Sequence, residues 1–128
     1  MERILIVDDD YSVRELYKYI FLDLGYEVET AKDGKEGLEK VGASRPDCML
    51  LDISMPEMTG PEFAKELTGD PDPELGKIPF IVMTGENCTD ASIRHAFQGN
   101  RSCRAFLPKI TSPDAVATMV REILGSPE

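Results

Sequence analysis

The chain has 128 residues, of which 41% are apolar and 30% are charged, and this balance suits a single globular domain. Its net charge of −10 argues against direct nucleic-acid binding, because phosphate backbones are held by clustered lysine and arginine. No apolar run approaches the roughly 18 residues that cross a bilayer, and MERILIVDDD becomes acidic too early for a signal peptide, so we expect a cytoplasmic protein that does not bind membranes.

Short apolar runs alternate along the chain with longer segments of helical periodicity. The first run, Ile4–Val7, precedes residues 13–24, whose apolar members recur every three or four positions, as on one face of a helix. Residues 26–31 alternate apolar and polar side chains, which is typical of a strand solvated on one face or lying at a sheet edge. A weaker helical pattern follows at Leu38 and Val41.

The second half of the chain continues the alternation. Further apolar runs lie at Cys48–Leu51, Phe80–Met83 and Cys103–Leu107, and helical patterns lie around residues 63–67, 93–97 and 116–124. Continuous runs are typical of strands that are covered on both faces. Five strands alternating with five helices predict an α/β protein, a three-layer α/β/α sandwich around a parallel sheet.

Local signals agree with these boundaries. Thr59 to Glu62 has the spacing of a capping box, and Pro113 after Ser112 suits the first position of a helix. The acidic, turn-rich segment of residues 68–79 predicts an exposed loop. None of the three cysteines forms a C-x-x-C pair, so we expect reduced thiols, buried or half-buried. The single histidine, His95, is expected on a helix surface rather than at a zinc site.

Polar side chains follow four of the five predicted strands: residues 8–10 are all Asp, and Asp52, Thr84 and Lys109 follow the third, fourth and fifth strands. Because the carboxyl ends of parallel strands share one edge of a sheet, these groups should converge. Close carboxylates repel one another unless a cation is present, and two or three of them suit Mg²⁺. We therefore expect a Mg²⁺ site at which Asp52 attacks a phosphoryl group in line, with Thr84 and Lys109 stabilising the phosphoryl oxygens.

The segments ILIVDDD, MLLDISMPEMTG, IVMTGE and AFLPK, in this order and spacing, resemble the receiver domain of bacterial two-component response regulators. The resemblance covers essentially the whole chain. It implies a flavodoxin-like, CheY-like fold whose five-stranded sheet has the order 2-1-3-4-5. We expect one receiver domain over residues 1–125, a short tail over residues 126–128 and no output domain.

The resemblance also implies individual roles at the strand ends. Asp52 is the phosphoacceptor, and Asp8 and Asp9 form the acidic pair of the Mg²⁺ site, where Asp52 and the backbone carbonyl of Ser54 are further ligands. The positions that match the family's residues for stabilising and sensing the phosphoryl group are Thr84, Gly85, Phe106 and Lys109. Phe106 corresponds to an aromatic residue that changes rotamer when Thr84 closes on the phosphoryl group.

A receiver domain implies particular partners. A sensor histidine kinase or phosphotransfer protein would donate the phosphoryl group, and the domain would act as a switch, promoting its own phosphorylation and dephosphorylation, rather than as an enzyme. A downstream effector would bind the face formed by the fourth helix, the fifth strand and the last helix; a phosphorylation-dependent dimer is also compatible with the family. Residues 1–87 carry 9 basic and 20 acidic side chains and residues 88–128 carry 5 and 4, so we hypothesise that Arg94, Arg101 and Arg104 favour a partner of acidic or mixed charge.

One departure from the family pattern keeps other functions open. Ile110 follows Lys109 where the family usually has proline, and we expect the bond before Ile110 to be trans. Pro108 precedes the lysine instead, which is tolerable if the fifth strand lies at the sheet edge. A phosphorelay intermediate, or the N-terminal part of a larger regulator, would have the same sequence features. A non-phosphorylated binding module stays an alternative because of Ile110, whereas an aspartyl-phosphate phosphatase is disfavoured because Ser54 replaces its second acid.

Overall fold

The computed structural model describes residues 2–53, 58–84, 95, 97, 100–109 and 111–125. Five strands form one parallel sheet in the order β2-β1-β3-β4-β5, as expected. The strands are β1 Arg3–Val7, β2 Glu27–Ala31, β3 Cys48–Asp52, β4 Phe80–Thr84 and β5 Cys103–Pro108. Four α-helices lie in the described part of the chain, α1 Tyr11–Asp23, α2 Gly34–Ser44, α3 Gly60–Thr68 and α4 Pro113–Gly125, with a 3-10 turn at Leu75–Lys77. The helix predicted around residues 93–97 lies largely outside the described residues, although His95 is helical and exposed.

The sheet is covered on both faces by separate hydrophobic clusters. Leu5 and Val7 pack with residues of α2 and α3 on one face, whereas Ile4 and Ile6 pack with residues of α1 and α4 on the other. Successive residues of a strand point to opposite faces, so a strand covered on both sides needs apolar residues at every position. This confirms the interpretation of the continuous runs in β1, β3 and β4.

The two edge strands differ from the central ones. The alternating strand β2 lies at one edge, as predicted, and β5 lies at the other. The strand β5 is covered less completely than its apolar run predicts: its apolar residues pack against both core clusters, but five of its residues are only half-buried and Arg104 is exposed. An edge position also explains why β5 accommodates Pro108, which has no backbone N–H to donate.

The predicted helix signals are present. Thr59 and Glu62 form a reciprocal capping box, in which the Glu62 N–H donates to Thr59 Oγ1 at 3.3 Å and the Thr59 N–H donates to Glu62 Oε1 at 3.1 Å. Gly25 follows α1 with a φ of +95°, a conformation that glycine adopts without steric cost. The predicted loop between α3 and β4 is mostly exposed, but Leu75 is buried and Ser102 Oγ donates to the Gly76 carbonyl at 2.6 Å.

Cys48 is buried and Cys103 is half-buried, and neither forms a disulfide. Desolvation raises the pKa of the Cys48 thiol to about 12 and that of Cys103 to about 11, so both are protonated at neutral pH. The third cysteine, Cys88, lies outside the described residues. Over the part of the chain that the structure describes, every helix is too short or too polar to cross a bilayer.

Two glycines of α2 provide a matched test of the packing between this helix and the sheet. A Cβ on Gly37 would lie 2.9 Å from Cε2 of Phe63 and 3.2 Å from Val7, which are both fully buried, whereas a Cβ on Gly42 would meet nothing within 4 Å. We expect Gly37→Ala to lower the free energy of unfolding by about 1–3 kcal/mol through overpacking. Gly42→Ala should raise it by roughly 0.5–1 kcal/mol through helix propensity. Urea unfolding monitored by circular dichroism measures both, and stabilisation by Gly37→Ala would contradict the packing.

Candidate functional site

Three carboxylates converge at the carboxyl edge of the sheet. Asp8 follows β1 and is 3% exposed, Asp52 ends β3 and is 2% exposed, and Asp9 is exposed to solvent. One carboxylate oxygen from each residue lies within 4.8 Å of the others. The structure thus brings these three predicted site residues together, because β1 and β3 are hydrogen-bonded neighbours in the sheet.

Backbone hydrogen bonds position the loop that carries the first two acids. The Asp8 N–H continues the sheet by donating to the Ala31 carbonyl at 3.0 Å, and the Asp10 N–H donates to Asp8 Oδ1 at 2.9 Å. The third acid of the triplet serves the helix instead, since Asp10 Oδ1 accepts from the Ser12 N–H at 2.8 Å and caps the N-terminus of α1. Asp8 and Asp9 therefore stay available to the cluster while Asp10 anchors the helix behind them.

Lys109 places one positive charge among these acids. Its Nζ lies 3.3 Å from Asp52 Oδ1 and 3.5 Å from Asp8 Oδ2. The main chain brings it there, since the Lys109 N–H donates to the carbonyl of Thr84 at 2.8 Å, directly beyond the β4–β5 pairing. Thr84 is fully buried at the end of β4. The structure thus brings Lys109 onto Asp8 and Asp52 and places Thr84 on the adjacent strand end.

The pKa values of the site reflect burial and charge. Desolvation raises the pKa of Asp8, with a smaller contribution from the neighbouring Asp9, although the Asp10 N–H and Lys109 act in the opposite direction. For Lys109, burial would lower the pKa, but the attraction of Asp8 and Asp52 outweighs it and raises the pKa above its usual value. Lys109 is therefore an ammonium at neutral pH, whereas ionisation of Asp8 costs free energy.

The donor set fits a divalent cation of the Mg²⁺ type. Among the residues that the structure describes, three carboxylates lie at one ammonium in this cluster, which leaves excess negative charge that a divalent ion would neutralise. Mg²⁺ prefers oxygen ligands and keeps several waters, so a partly open site with the exposed Asp9 at its rim suits it. Asp8, Asp9 and Asp52 are the residues that could hold it.

Two residues of α1 that the sequence analysis did not identify lie against this loop. Arg14 Nη1 donates to the backbone carbonyl of Asp8 at 2.8 Å, and the Arg14 guanidinium lies 5.6 Å from the centre of the Tyr11 ring. The only sequence signal is a basic residue one turn into the helix that follows the acidic triplet. Such a residue is common on a helix surface, so the pattern alone does not predict this contact.

Phe106 belongs to a row of aromatic side chains. Its ring centre lies 5.5 Å from that of Phe97, which in turn lies 5.8 Å from that of Phe80. Phe106 is half-buried on the edge strand β5, whereas Phe97 and Phe80 are buried. The sequence analysis treated Phe97 only as a helix marker, because contacts between distant segments leave no local pattern.

The other predicted site residues fall into two groups. Arg101 and Arg104 are exposed near the start of β5, at the end opposite to Lys109, so they do not join the carboxylate cluster. The residues that lie outside the described part of the chain are Ser54, Gly85, Arg94 and Ile110.

Comparisons with known proteins agree with the geometry. The family model of the response regulator receiver domain matches residues 4–121. The response regulator MprA of Mycobacterium tuberculosis is 33% identical over 122 residues, covering 95% of this chain and 50% of MprA, and that of Mycobacterium leprae is 35% identical over 124 residues. This chain therefore spans about half the length of these relatives.

Solved structures show the same fold. The chemotaxis protein CheY4 of Vibrio cholerae superposes with a TM-score of 0.84 at 31% identity, over 97% of this chain and 99% of that chain. The response regulator TrrA of Thermotoga maritima, solved in complex with Mg²⁺ and BeF, has a TM-score of 0.76 at 30% identity, over 97% of this chain and 100% of its own.

The raised pKa of Asp8 predicts a pH-dependent effect of removing its charge. Because the folded-state pKa lies above the ordinary value of 3.8, protonated Asp8 favours folding, and this contribution is lost as the pH rises through the raised pKa. In metal-free buffer at about pH 7, Asp8→Asn should therefore be more stable than wild type, and the difference should shrink as the pH falls toward 3.8. Thermal unfolding with EDTA measures this.

Glu39→Gln, which removes an exposed carboxylate from α2, is the matched control and should change stability little at either pH. If Asp8→Asn were less stable than wild type at about pH 7, desolvation would not be the largest contribution to the pKa of Asp8, and the prediction would be wrong.

Proposed function

Because this chain belongs to the response regulator receiver domain family, we propose that its Asp52 accepts a phosphoryl group from a sensor histidine kinase or a phosphotransfer protein. The chain is a receiver domain of a two-component system, and the proposal concerns which residues carry out its chemistry. The observation that supports it most directly is the placement of Asp52, a buried carboxylate beside Asp8 and Asp9 with the Lys109 ammonium 3.3 Å away.

The proposed transfer is a displacement at phosphorus. A carboxylate oxygen of Asp52 forms the new bond to phosphorus while the bond to the donor's histidine nitrogen breaks, and the nitrogen keeps the electron pair. Lys109 is charged and already lies at the carboxylate, so its ammonium would pair with a phosphoryl oxygen as it arrives. Thr84, on the adjacent strand end, would donate its hydroxyl to another phosphoryl oxygen.

The proposed metal ligands are Asp8, Asp9, Asp52 and the backbone carbonyl of Ser54. When bound, Mg²⁺ supplies positive charge that offsets the repulsion between the carboxylates and the incoming phosphoryl group. Asp8 is held by the Asp10 N–H and by Lys109, so its oxygen is positioned before any ion binds. Asp9 is exposed, so its carboxylate would reach the ion from the solvent side of the site.

The proposed output is a change of the surface formed by β5 and α4. Phosphorylation adds roughly −1.5 to −2 units of charge, which would draw Thr84 and Lys109 toward the phosphoryl group. Phe106 lies two strand residues before Pro108, which pairs with Thr84, and its ring contacts Phe97. Gly85 is a small neighbour that would leave Thr84 room to move. Movement of Thr84 would thus shift the row of aromatic side chains that ends at Phe106 on the half-buried edge strand.

A downstream effector protein, or a second copy of the chain in a phosphorylation-dependent dimer, would bind this surface. Arg101 and Arg104 are exposed there, and Arg94 is proposed to join them, in the less acidic third of the chain. A phosphorelay intermediate or a larger regulator would use the same Asp52 chemistry. A binding module that is never phosphorylated is the competing function.

Intact mass spectrometry after incubation with acetyl phosphate and Mg²⁺ tests the phosphoacceptor role. We expect wild type to gain one phosphoryl group, about 80 Da, and to lose this ability with EDTA, because the carboxylates then repel the donor unaided. Asp52→Asn should gain none. A wild-type protein without an adduct, or an Asp52→Asn variant labelled as fully as wild type, would contradict the proposal.

Charge reversal on β5 tests the output surface. Arg101→Glu/Arg104→Glu should be phosphorylated by acetyl phosphate like wild type, since both residues lie away from the carboxylates. Its affinity for the effector that wild type binds, measured by calorimetry on the phosphorylated protein, should fall about 10-fold or more. The matched control Lys32→Glu/Lys35→Glu reverses two exposed charges at the start of α2 and should not weaken binding. Equal weakening by both pairs would count against a specific role for β5.

A further inference from the structure

We propose that Arg14 is a positioning residue of the metal site: its guanidinium holds the Asp8 carbonyl and thereby orients the peptide that carries Asp9. The Arg14 Nη1 to Asp8 O distance is 2.8 Å, and Asp8 follows Val7, the last residue of β1 that pairs in the sheet. The inference rests on the proposed function, because it assigns Arg14 a role toward the Mg²⁺ that Asp8, Asp9 and Asp52 would bind.

The acidic pair needs two different kinds of support. The Asp8 carboxylate is held directly, by the Asp10 N–H at 2.9 Å and by Lys109 at 3.5 Å. Asp9 is exposed, and its backbone begins at the peptide bond whose carbonyl Arg14 binds. Fixing this peptide before the ion arrives reduces the conformational entropy lost on binding, which makes the preorganised site the tighter one.

Arg14 is itself held in place by α1. Its backbone N–H donates to the Asp10 carbonyl at 3.1 Å in the first turn of the helix, and its guanidinium lies against the Tyr11 ring at 5.6 Å. Tyr11 itself is 66% exposed, so this contact lies at the surface of α1. Arg14 therefore contacts Tyr11 on α1 and, through its guanidinium, the loop that carries Asp8 and Asp9.

A positioning role and a simple charge effect predict opposite results for the same substitution. Arg14 is a cation close to the acidic loop, so its charge alone opposes the binding of a second cation. If charge dominates, neutralising Arg14 should tighten Mg²⁺ binding. If positioning dominates, neutralisation should weaken binding, since residues that orient metal ligands contribute about 10–100-fold to affinity.

The experiment compares Arg14→Met with Lys18→Met, which removes an exposed charge of the same sign one turn further along α1. Isothermal titration calorimetry with MgCl₂ gives the dissociation constants. We expect Arg14→Met to bind Mg²⁺ about 10-fold more weakly than wild type, and Lys18→Met to bind as tightly as wild type or more tightly. Arg14→Lys keeps the charge and one donor and should recover part of the loss.

A metal-free measurement tests the contact itself. In ¹⁵N relaxation without Mg²⁺, the order parameter of the Asp9 amide should fall in Arg14→Met and stay at the wild-type value in Lys18→Met. A merely structural role for Arg14 would lower thermal stability without this local change. Arg14→Gln has a shorter polar side chain that does not span the distance to Asp8, so it should weaken Mg²⁺ binding as much as Arg14→Met does. It replaces Arg14→Met in both measurements if that variant does not fold.

Two results would overturn the inference while wild type binds Mg²⁺: unchanged or tighter binding by Arg14→Met and Arg14→Gln, or equal weakening by Lys18→Met. Wild-type protein that binds no Mg²⁺ at millimolar concentrations would overturn the proposed metal site together with this inference. The two failures are thus distinguished by the wild-type titration.

Discussion

The crowding of three carboxylates around the ammonium of Lys109 is the constraint on which the site depends. Asp8 and Asp52 are almost fully buried, and ionised groups in that position cost free energy unless they are paired. Lys109 pairs with both, but one positive charge does not neutralise three negative ones. The cluster therefore keeps excess negative charge, which a divalent cation would offset.

In this fold, the residues that stabilise the sheet are different from the residues that form the site. The strands that deliver Asp8, Asp52 and Thr84 are covered on both faces, so the backbone beneath the site is rigid. The side chains themselves sit on strand ends and loops, where backbone hydrogen bonds from Asp10 and Lys109 orient them. The edge strand β5 is less buried than the central strands, so it is the part of the sheet that can move with least loss of packing.

Sequence analysis correctly predicted elements whose evidence is local. The periodicity of apolar residues predicted the strands and described helices, and the chemistry after each strand predicted that Asp8, Asp9, Asp52 and Lys109 meet. It was less accurate where the outcome depends on a neighbour: the apolar run of β5 indicated full burial, whereas five of its residues are half-buried and Arg104 is exposed. The contacts of Arg14 and Phe97 were missed for the same reason, since each joins segments through space.

The sequence by itself therefore determined the alternating architecture and the identity of the groups at the carboxyl edge. The reason is that the period of a strand or helix, and the residue that ends a strand, depend only on a short stretch of sequence. Only the tertiary structure decided their mutual distances, the burial that raises the pKa of Asp8, the ion pairs of Lys109 and the hold of Arg14 on the acidic loop. The physical reason is that desolvation and Coulomb energy depend on packing and separation, which are settled only when distant segments come together.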